Sequence, residues 1–316
     1  MSQGKRFFVV IVGVAVLAAV LVIPRFFTRD ISARVSIGGK QFTEQEILGQ
    51  LMSLLVEHHT DLKVERTLNL GGTMICFNAL KAGDLDLYAE YTGTGLVNIL
   101  NESGISDPDR AYKKVKETFS EKYSLTWLKP FGFNNTYTLT MRRDRAEELG
   151  LETISDLAQY VKDGKDAEDK LQAAFDAEFH TRPDGYKGLC RHYGFTFPSK
   201  PRQMDPGLMY KAVSDGAVDI IDGFATDGRI AAYDLVVLED DKNFFPPYYA
   251  APLVRADTLK KYPELGDALN ALAGRLPDAT MQKLNFEVDE KGRKAADVAE
   301  KFLVSNGLIK EKNPSD

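Results

Sequence analysis

Ala79-Leu-Lys-Ala-Gly-Asp-Leu-Asp-Leu-Tyr-Ala-Glu-Tyr91-Thr-Gly-Thr-Gly95 returns 133 positions later as Ala212-Val-Ser-Asp-Gly-Ala-Val-Asp-Ile-Ile-Asp-Gly-Phe224-Ala-Thr-Asp-Gly228. Aligned without gaps, Ala79/Ala212, Gly83/Gly216, Asp86/Asp219 and Gly95/Gly228 are identical, while Leu80/Val213, Leu85/Val218, Leu87/Ile220 and Tyr91/Phe224 keep their character. Each stretch reads as the end of a helix, a Gly stop, a short apolar strand, an aromatic at the strand's carboxyl end and a Gly/Thr loop. In open α/β sheets ligands sit outside the carboxyl ends of strands. Two such units therefore imply two similar lobes with a site between them. The competing reading is one α/β domain whose units look alike because short βα units share Gly and Asp for local reasons.

Outward from the repeat, the pattern continues as alternating strands and helices. Strands are expected at Val35–Gly38, Val64–Leu70, Leu125–Leu128, Leu171–Phe175 and Leu235–Leu238. Thr43-Glu-Gln-Glu46 has the spacing of a capping box, and the helix after it buries Ile47, Leu48, Leu51, Leu54 and Leu55. Gly71-Gly72-Thr73 opens a helix through Leu80, and Asp107-Pro108 is an N-cap and N1 pair for a helix to Tyr123. Helices follow around Ile154–Val161, up to Tyr193, around Leu208–Val213, and near Pro263–Ala273, Asp278–Phe286 and Arg293–Ser305, with Glu178 to Tyr186 as a loop. Phe133-Asn-Asn-Thr-Tyr137 and Phe244-Phe-Pro-Pro-Tyr248 share a Phe-x-x-x-Tyr spacing and read as two crossings between lobes. The expected division is residues 34–135 plus 246–316 as lobe 1 and 138–242 as lobe 2, closing by rigid-body motion about a two-stranded hinge.

The chain has 316 residues, 44% hydrophobic and 27% charged, which is ordinary globular material with room for about two domains. Lys5, Arg6, Arg25 and Arg29 against Asp30 give the first 30 residues a charge of +3; with −6 for the whole chain, the remainder carries −9. So acidic a body argues against nucleic acid as a partner. Lys5-Arg6 precedes the uncharged run Phe7–Ile23, the pattern of an export signal. The run is long for a signal and short for a full span of ~20 residues, so residues 1–33 stand as a cleaved signal peptide or a retained anchor. Either places the rest outside the cytoplasmic membrane, with a periplasmic location expected. No cysteine precedes Cys76, so an amino-terminal lipid on Cys is not expected. Cys76 and Cys190 have the alternative of one disulfide in an oxidising compartment, but they fall in different halves of the chain and read rather as two separate buried thiols. His58, His59, His180 and His192 lack metal-ligand spacing, and neither a phosphate loop nor a nucleophile elbow occurs, so no metal, cofactor or catalytic residue is expected.

Tyr91 and Phe224 after the repeated strands, with Tyr137 and Tyr248 at the crossings, put four rings at matched points. Converging rings suit a positive, apolar head. A quaternary ammonium offers no N–H, and ring quadrupoles hold it at ~0.5–2 kcal/mol per ring. Ordinary packing is the alternative for any single ring.

Lys40-Gln-Phe-Thr-Glu-Gln45, Leu70-Gly-Gly-Thr73, Leu87-Tyr-Ala-Glu-Tyr-Thr-Gly-Thr94, Phe133-Asn-Asn-Thr-Tyr137, Arg182-Pro-Asp-Gly185, Thr226-Asp-Gly228, Leu238-Glu-Asp-Asp241 and Phe245-Pro-Pro-Tyr248 together resemble the substrate-binding proteins of ABC importers for glycine betaine, choline, carnitine and related osmoprotectants. The resemblance runs from about Val35 to Ile309. It implies a two-lobed type II periplasmic-binding-protein fold, α/β in class, that acts as a monomer and delivers a small quaternary ammonium ligand to a permease in the cytoplasmic membrane. It further implies a cage of Tyr91, Tyr137 and Tyr248, with Phe224 where many members have a fourth Tyr. Polar ligand contacts are implied for Lys40, Thr94, Asn135 and Arg182. Met74 departs from the family and would make the tail end of the pocket less polar. Lys40 and Arg182 are the two cations among these positions. Facing a hydroxyl they would lose solvation without return, so carboxylated trimethylammonium compounds are expected over choline. An anchored sensory ectodomain for the same ligand class and a type II-fold enzyme using Asp84, Asp86, Asp219 or Asp222 are the rival classes. The repeat better explains Asp86 and Asp219 as strand-flanking structure.

Overall fold

The computed structural model describes residues 33–164, 171–197 and 199–311. The signal or anchor expected over residues 1–33 lies outside the described residues, apart from Ala33 itself. From Arg34 on, the chain makes one compact unit. Its elements in order are β1 (Arg34–Lys40), α1 (Thr43–His59), β2 (Lys63–Gly71), α2 (Thr73–Ala82), β3 (Leu87–Tyr91), a π-helical turn (Thr94–Ile99), α3 (Pro108–Tyr123) and β4 (Leu125–Trp127). Then come β5 (Tyr137–Arg142), α4 (Arg143–Leu149), α5 (Ile154–Lys162), β6 (Ala173–Phe175), α6 (Ala177–Thr181), α7 (Tyr186–Tyr193), β7 (Arg202–Gln203), α8 (Pro206–Ser214), β8 (Ile220–Phe224), α9 (Arg229–Ala232) and β9 (Leu235–Leu238). The chain returns through β10 (Ala250–Arg255), α10 (Ala256–Lys261), α11 (Glu264–Asn270), α12 (Asp278–Asp289) and α13 (Ala295–Ser305).

Two five-stranded sheets carry these elements, ordered β2-β1-β3-β10-β4 and β7-β6-β8-β5-β9. They are copies of one topology. In each, a βα unit supplies parallel strands, and an antiparallel strand arriving from a crossing slots beside the strand of the repeated unit. The repeated residues do the same work in both. Asp86 exchanges backbone and side-chain bonds with Ser36 at β1 (2.8 Å to the carboxylate), and Asp219 does so with Gln172 at the entry to β6 (2.8 Å). The strand-flanking reading of these two aspartates holds.

The crossings are matched differently from the sequence expectation. Ala250 lies opposite Tyr91, and Tyr137 lies opposite Phe224, so Tyr137 is equivalent to Ala250 rather than to Tyr248. The Phe-x-x-x-Tyr match is out of step by two residues. The true register shows at the other end of the strands. Arg142 reaches back to Val213 O and pairs with Asp144; Arg255 does the same with Leu80 O and Asp257. Each guanidinium packs against the left-handed glycine after its helix, Gly216 (φ 73°) or Gly83 (φ 87°), where a Cβ would be both strained and crowded. The two crossings still run side by side. Asn135 N donates to Tyr248 O, Tyr248 N donates to Asn134 Oδ1, and Asn134 bridges Tyr249.

Each sheet has its own apolar core. Phe77, Leu80, Tyr88, Phe119, Trp127 and Leu253 fill the first, with Phe119 edge-on to Trp127 at 5.4 Å. Met209, Tyr210, Val213, Ile221 and Leu235 fill the second. Burying one such large apolar side chain is worth ~1.5–3 kcal/mol. Cys76 and Cys190 are buried free thiols, and burial pushes both up to about 12. Two local expectations fail. Thr43 is not an N-cap: Phe42 holds that position and its carbonyl takes the first helical bonds, while the Thr43 hydroxyl donates to Asp289 at 2.5 Å. The expected loop from Glu178 begins as the helix α6, because the Asp176 carboxylate accepts from the N–H groups of Glu178 and Phe179.

Candidate functional site

All eight residues singled out from the sequence line one cavity between the two sheets: Lys40, Tyr91, Thr94, Asn135, Tyr137, Arg182, Phe224 and Tyr248. Tyr91 and Phe224 end β3 and β8, Tyr137 opens β5, and Tyr248 leads into β10. Tyr137 meets Phe224 at 5.5 Å and stands edge-on to Tyr248 at 5.7 Å. Tyr91 is linked to the group through a ring that sequence reasoning left out. Phe42 stacks on Phe224 (5.5 Å, 11°) and on Tyr91 (6.4 Å, 26°), so a ring from the first lobe lies flat on a ring from the second. Its signal was in view, two residues after Lys40. Space for the centres of water-sized molecules amounts to about 60 Å³. Met74 does not line this cavity and is 44% exposed. The expected loss of polarity from Met74 therefore does not arise; Gly71 and Gly72 of the same stretch line the cavity instead.

Burial pushes the phenols of Tyr91, Tyr137 and Tyr248 well above their ordinary range, helped by Glu44 at Tyr91 and by Asp184 at Tyr248, and opposed by Arg182 at Tyr137. All three stay neutral hydroxyls. Tyr91 donates to Glu44 at 2.8 Å and Tyr248 donates to Asp184 at 2.6 Å.

Both cations already have carboxylate partners inside the chain. Lys40 Nζ lies 2.7 Å from Glu90 Oε1, and that carboxylate also accepts from the Tyr88 hydroxyl and the Tyr91 N–H. Arg182 grips Asp184 with Nε (2.8 Å) and Nη2 (2.6 Å), both side chains being 3% exposed, and Nη2 also donates to Thr94 Oγ1 at 3.2 Å. The same two cations sit over cage rings, Lys40 Nζ 5.0 Å from the Tyr91 centroid and Arg182 Cζ 5.2 Å from that of Tyr137. The argument that a hydroxylated ligand would strand these charges therefore fails, since neither is uncompensated.

A second residue missed in the sequence braces the site. Glu44, on the first turn of α1, is fully buried. One oxygen accepts from Tyr91 and from Asn135 Nδ2 (2.8 Å), the other from Thr226 Oγ1 (2.5 Å) and Asn285 Nδ2 (3.2 Å). Burial raises its carboxyl above the ordinary range despite four donors. The residue joins α1 and α12 of one lobe, a crossing, and the loop after β8 of the other.

Polar, directional contacts cross the cleft beside the Phe42–Phe224 stack. Glu178 of α6 bonds the Thr73 N–H and, at 2.8 Å, the Thr73 hydroxyl at the start of α2. Asn285 Nδ2 donates to Thr226 O, and Gln282 Nε2 to Ala225 O. An aromatic box bounded by polar groups from two lobes can enclose a small organic cation and exclude water from it. Among the described residues no group of three or more His, Cys, Asp and Glu is placed to hold a metal ion, and no helix is long and apolar enough to cross a membrane.

Residues 33–305 match the family described as the substrate binding domain of ABC-type glycine betaine transport systems. The carnitine transport binding protein OpuCC of Listeria monocytogenes is 40% identical over 281 residues, 88% of this chain and 89% of that protein. The ergothioneine transport permease/ergothioneine binding protein EgtU of Helicobacter pylori is 38% identical over 273 residues, 86% of this chain but 47% of that longer protein. A crystal structure of a glycine betaine/carnitine/choline ABC transporter protein superposes with a TM-score of 0.71 at 39% identity, covering 87% of this chain and 99% of the other. With fold, repeat and motifs all in agreement, the chain belongs to the family of substrate-binding domains of ABC-type glycine betaine transport systems.

Proposed function

We propose that this protein captures a quaternary ammonium compound between its lobes and hands it to an ABC permease in the cytoplasmic membrane. The observation that carries the reading is the convergence of rings from both sheets on one cavity: Tyr91, Phe224, Tyr137 and Tyr248, with Phe42 added. In this reading Tyr91, Tyr137, Phe224 and Tyr248 take the trimethylammonium head, each ring contributing ~0.5–2 kcal/mol. Lys40, Thr94, Asn135 and Arg182 meet the polar end. Residues 34–135 with 246–316 move as one lobe and 138–242 as the other, about the paired crossings. The protein works outside the cytoplasm, in the periplasm, free or tethered through residues 7–23. It acts as a monomer and carries out no chemistry on its ligand. Support for the permease partnership comes from the relatives: one is named a transport binding protein, and another joins permease and binding protein in a single chain.

Calorimetric titration of the exported chain with glycine betaine, carnitine, choline and glycine tests this. The trimethylated compounds bind and glycine does not; equal affinity for glycine and glycine betaine refutes the cage. A hundredfold excess of ligand over the dissociation constant raises stability by ~2.7 kcal/mol. Small-angle scattering with and without saturating ligand differs if the lobes close, and superimposable curves refute closure.

A further inference from the structure

The amino terminus of α2 is built differently from its counterpart in the other half of the repeat. In the second lobe, α8 is capped by its own Asp205, whose carboxylate accepts from Gly207 N at 2.8 Å. The repeat offset puts Gly72 at the equivalent position in the first lobe. Gly72 is the N-cap of α2, brings no side chain, and no acidic residue follows in the first turn. A helix start concentrates free N–H groups and the positive end of the dipole, and so favours a negative charge there. That charge arrives from across the cleft. Glu178 places one oxygen on the Thr73 N–H and the other on the Thr73 hydroxyl at 2.8 Å, with Arg182 Nη1 at 3.4 Å. The fit is close, for a Cβ on residue 72 would overlap Glu178 Oε1. Asp176 fixes the approach by capping α6 at the N–H groups of Glu178 and Phe179. Burial works against the Glu178 charge, but Lys40, Arg182 and the Thr73 donors outweigh it and hold the carboxyl below its ordinary range.

We propose that Glu178 is the selectivity residue of the cavity: it supplies from within the chain the carboxylate that a zwitterionic ligand would bring to Lys40, Arg182 and the start of α2. This rests on the quaternary ammonium reading above. Lys40 is matched by Glu90 and Arg182 by Asp184, so Glu178 leaves this wall with an excess negative charge. A ligand of net charge +1, such as choline, completes the wall. A betaine carboxylate must displace Glu178 or lie against it. Because the bond joins α6 of one lobe to α2 of the other, it forms only when the lobes meet, so the same residue latches the closed state.

The test is calorimetric titration of wild type, Glu178→Gln and Gly72→Asp/Glu178→Ala, the Ala making room for the new side chain at residue 72, with choline and with glycine betaine, alongside thermal melts without ligand to confirm folding. Wild type binds choline more tightly. In Glu178→Gln, choline binding weakens and betaine binding strengthens, and the affinity ratio shifts at least tenfold. The double variant, which gives α2 the in-lobe carboxylate that Asp205 gives α8, returns the ratio toward wild type. Equal scaling of both affinities in Glu178→Gln, no change in either, or a wild-type preference for betaine refutes the selectivity role. Wild type binding none of choline, glycine betaine and carnitine refutes the quaternary ammonium reading itself.

Discussion

Replacing Arg182 by Met tests whether the cations of the cavity are structural or free. The guanidinium and Asp184 are both 3% exposed and joined by two bonds of 2.8 and 2.6 Å. Removing one partner of a buried pair costs ~3–5 kcal/mol, because the other charge is left without compensation. Asp184 keeps one donor, the Tyr248 hydroxyl at 2.6 Å, and Met refills much of the volume. The expected loss is therefore at the low end, about 3 kcal/mol. At a urea slope of about 3 kcal/mol/M this moves the unfolding midpoint of ligand-free protein by about 1 M. Asp184→Asn gives the second corner of a double-mutant cycle. With both changes present, the loss falls short of the sum by about 2 kcal/mol, as for any contacting pair. A cost under about 1 kcal/mol for Arg182→Met, or simple additivity, refutes an enclosed pair and returns Arg182 to the role of a free ligand-gripping cation.

Tyr137→Ala weakens binding of a quaternary ammonium ligand by about 1–2 kcal/mol, roughly 5- to 30-fold, while Tyr137→Phe loses less because the ring face remains; calorimetric titration compares them. Gly93→Ala weakens the same binding without unfolding the protein, since a Cβ there would lie 2.7 Å from the Tyr248 ring; unchanged affinity would show that the ring's position is unimportant. The pH profile of ligand-free stability carries two opposite slopes. Glu44, raised by burial, stabilises below the ordinary carboxylate range, and that contribution is lost as pH rises through its elevated value. Glu178, held low by Lys40, Arg182 and Thr73 against its burial, stabilises above the ordinary range, and its contribution is lost as pH falls through its depressed value. Melting temperatures across the acid-to-neutral range should show Glu44→Gln removing the first slope and Glu178→Gln the second.

The repeat was legible because its signals are local: a Gly stop, a strand, an aromatic and a loop all fall within 17 residues. Tyr91 and Phe224 followed from it, and Tyr137 and Tyr248 from the two crossings. What the sequence hid was partnership across distance. Glu90 lies inside a quoted motif, yet nothing local says that it faces Lys40, 50 residues away. Glu44 was passed over beside a capping-box pattern, because its donors come from four separate places in the chain. The crossing register slipped by two for a different reason. Shared aromatics suggested one alignment, while the pair Arg142-x-Asp144 and Arg255-x-Asp257, which marks the true one, was not compared. A slip of two keeps the face of a strand, so the alternation of side chains could not expose the error.

The position of β10 sets an order of assembly. Among the described residues β4 pairs only with β10, and β10 sits between β4 and β3 in the first sheet. All of the second sheet, from Tyr137 to Leu238, is encoded between them. A chain that leaves the ribosome amino end first has every strand of the second sheet in hand while the first still lacks its fourth. During that interval β3 has one unpaired edge and β4 has no neighbour at all, the kind of surface that recruits other extended chains. Only the arrival of Ala250–Arg255 closes it. The half of the molecule that is begun first is thus completed last, and a nascent chain held before residue 250 exposes an unfinished sheet to its surroundings.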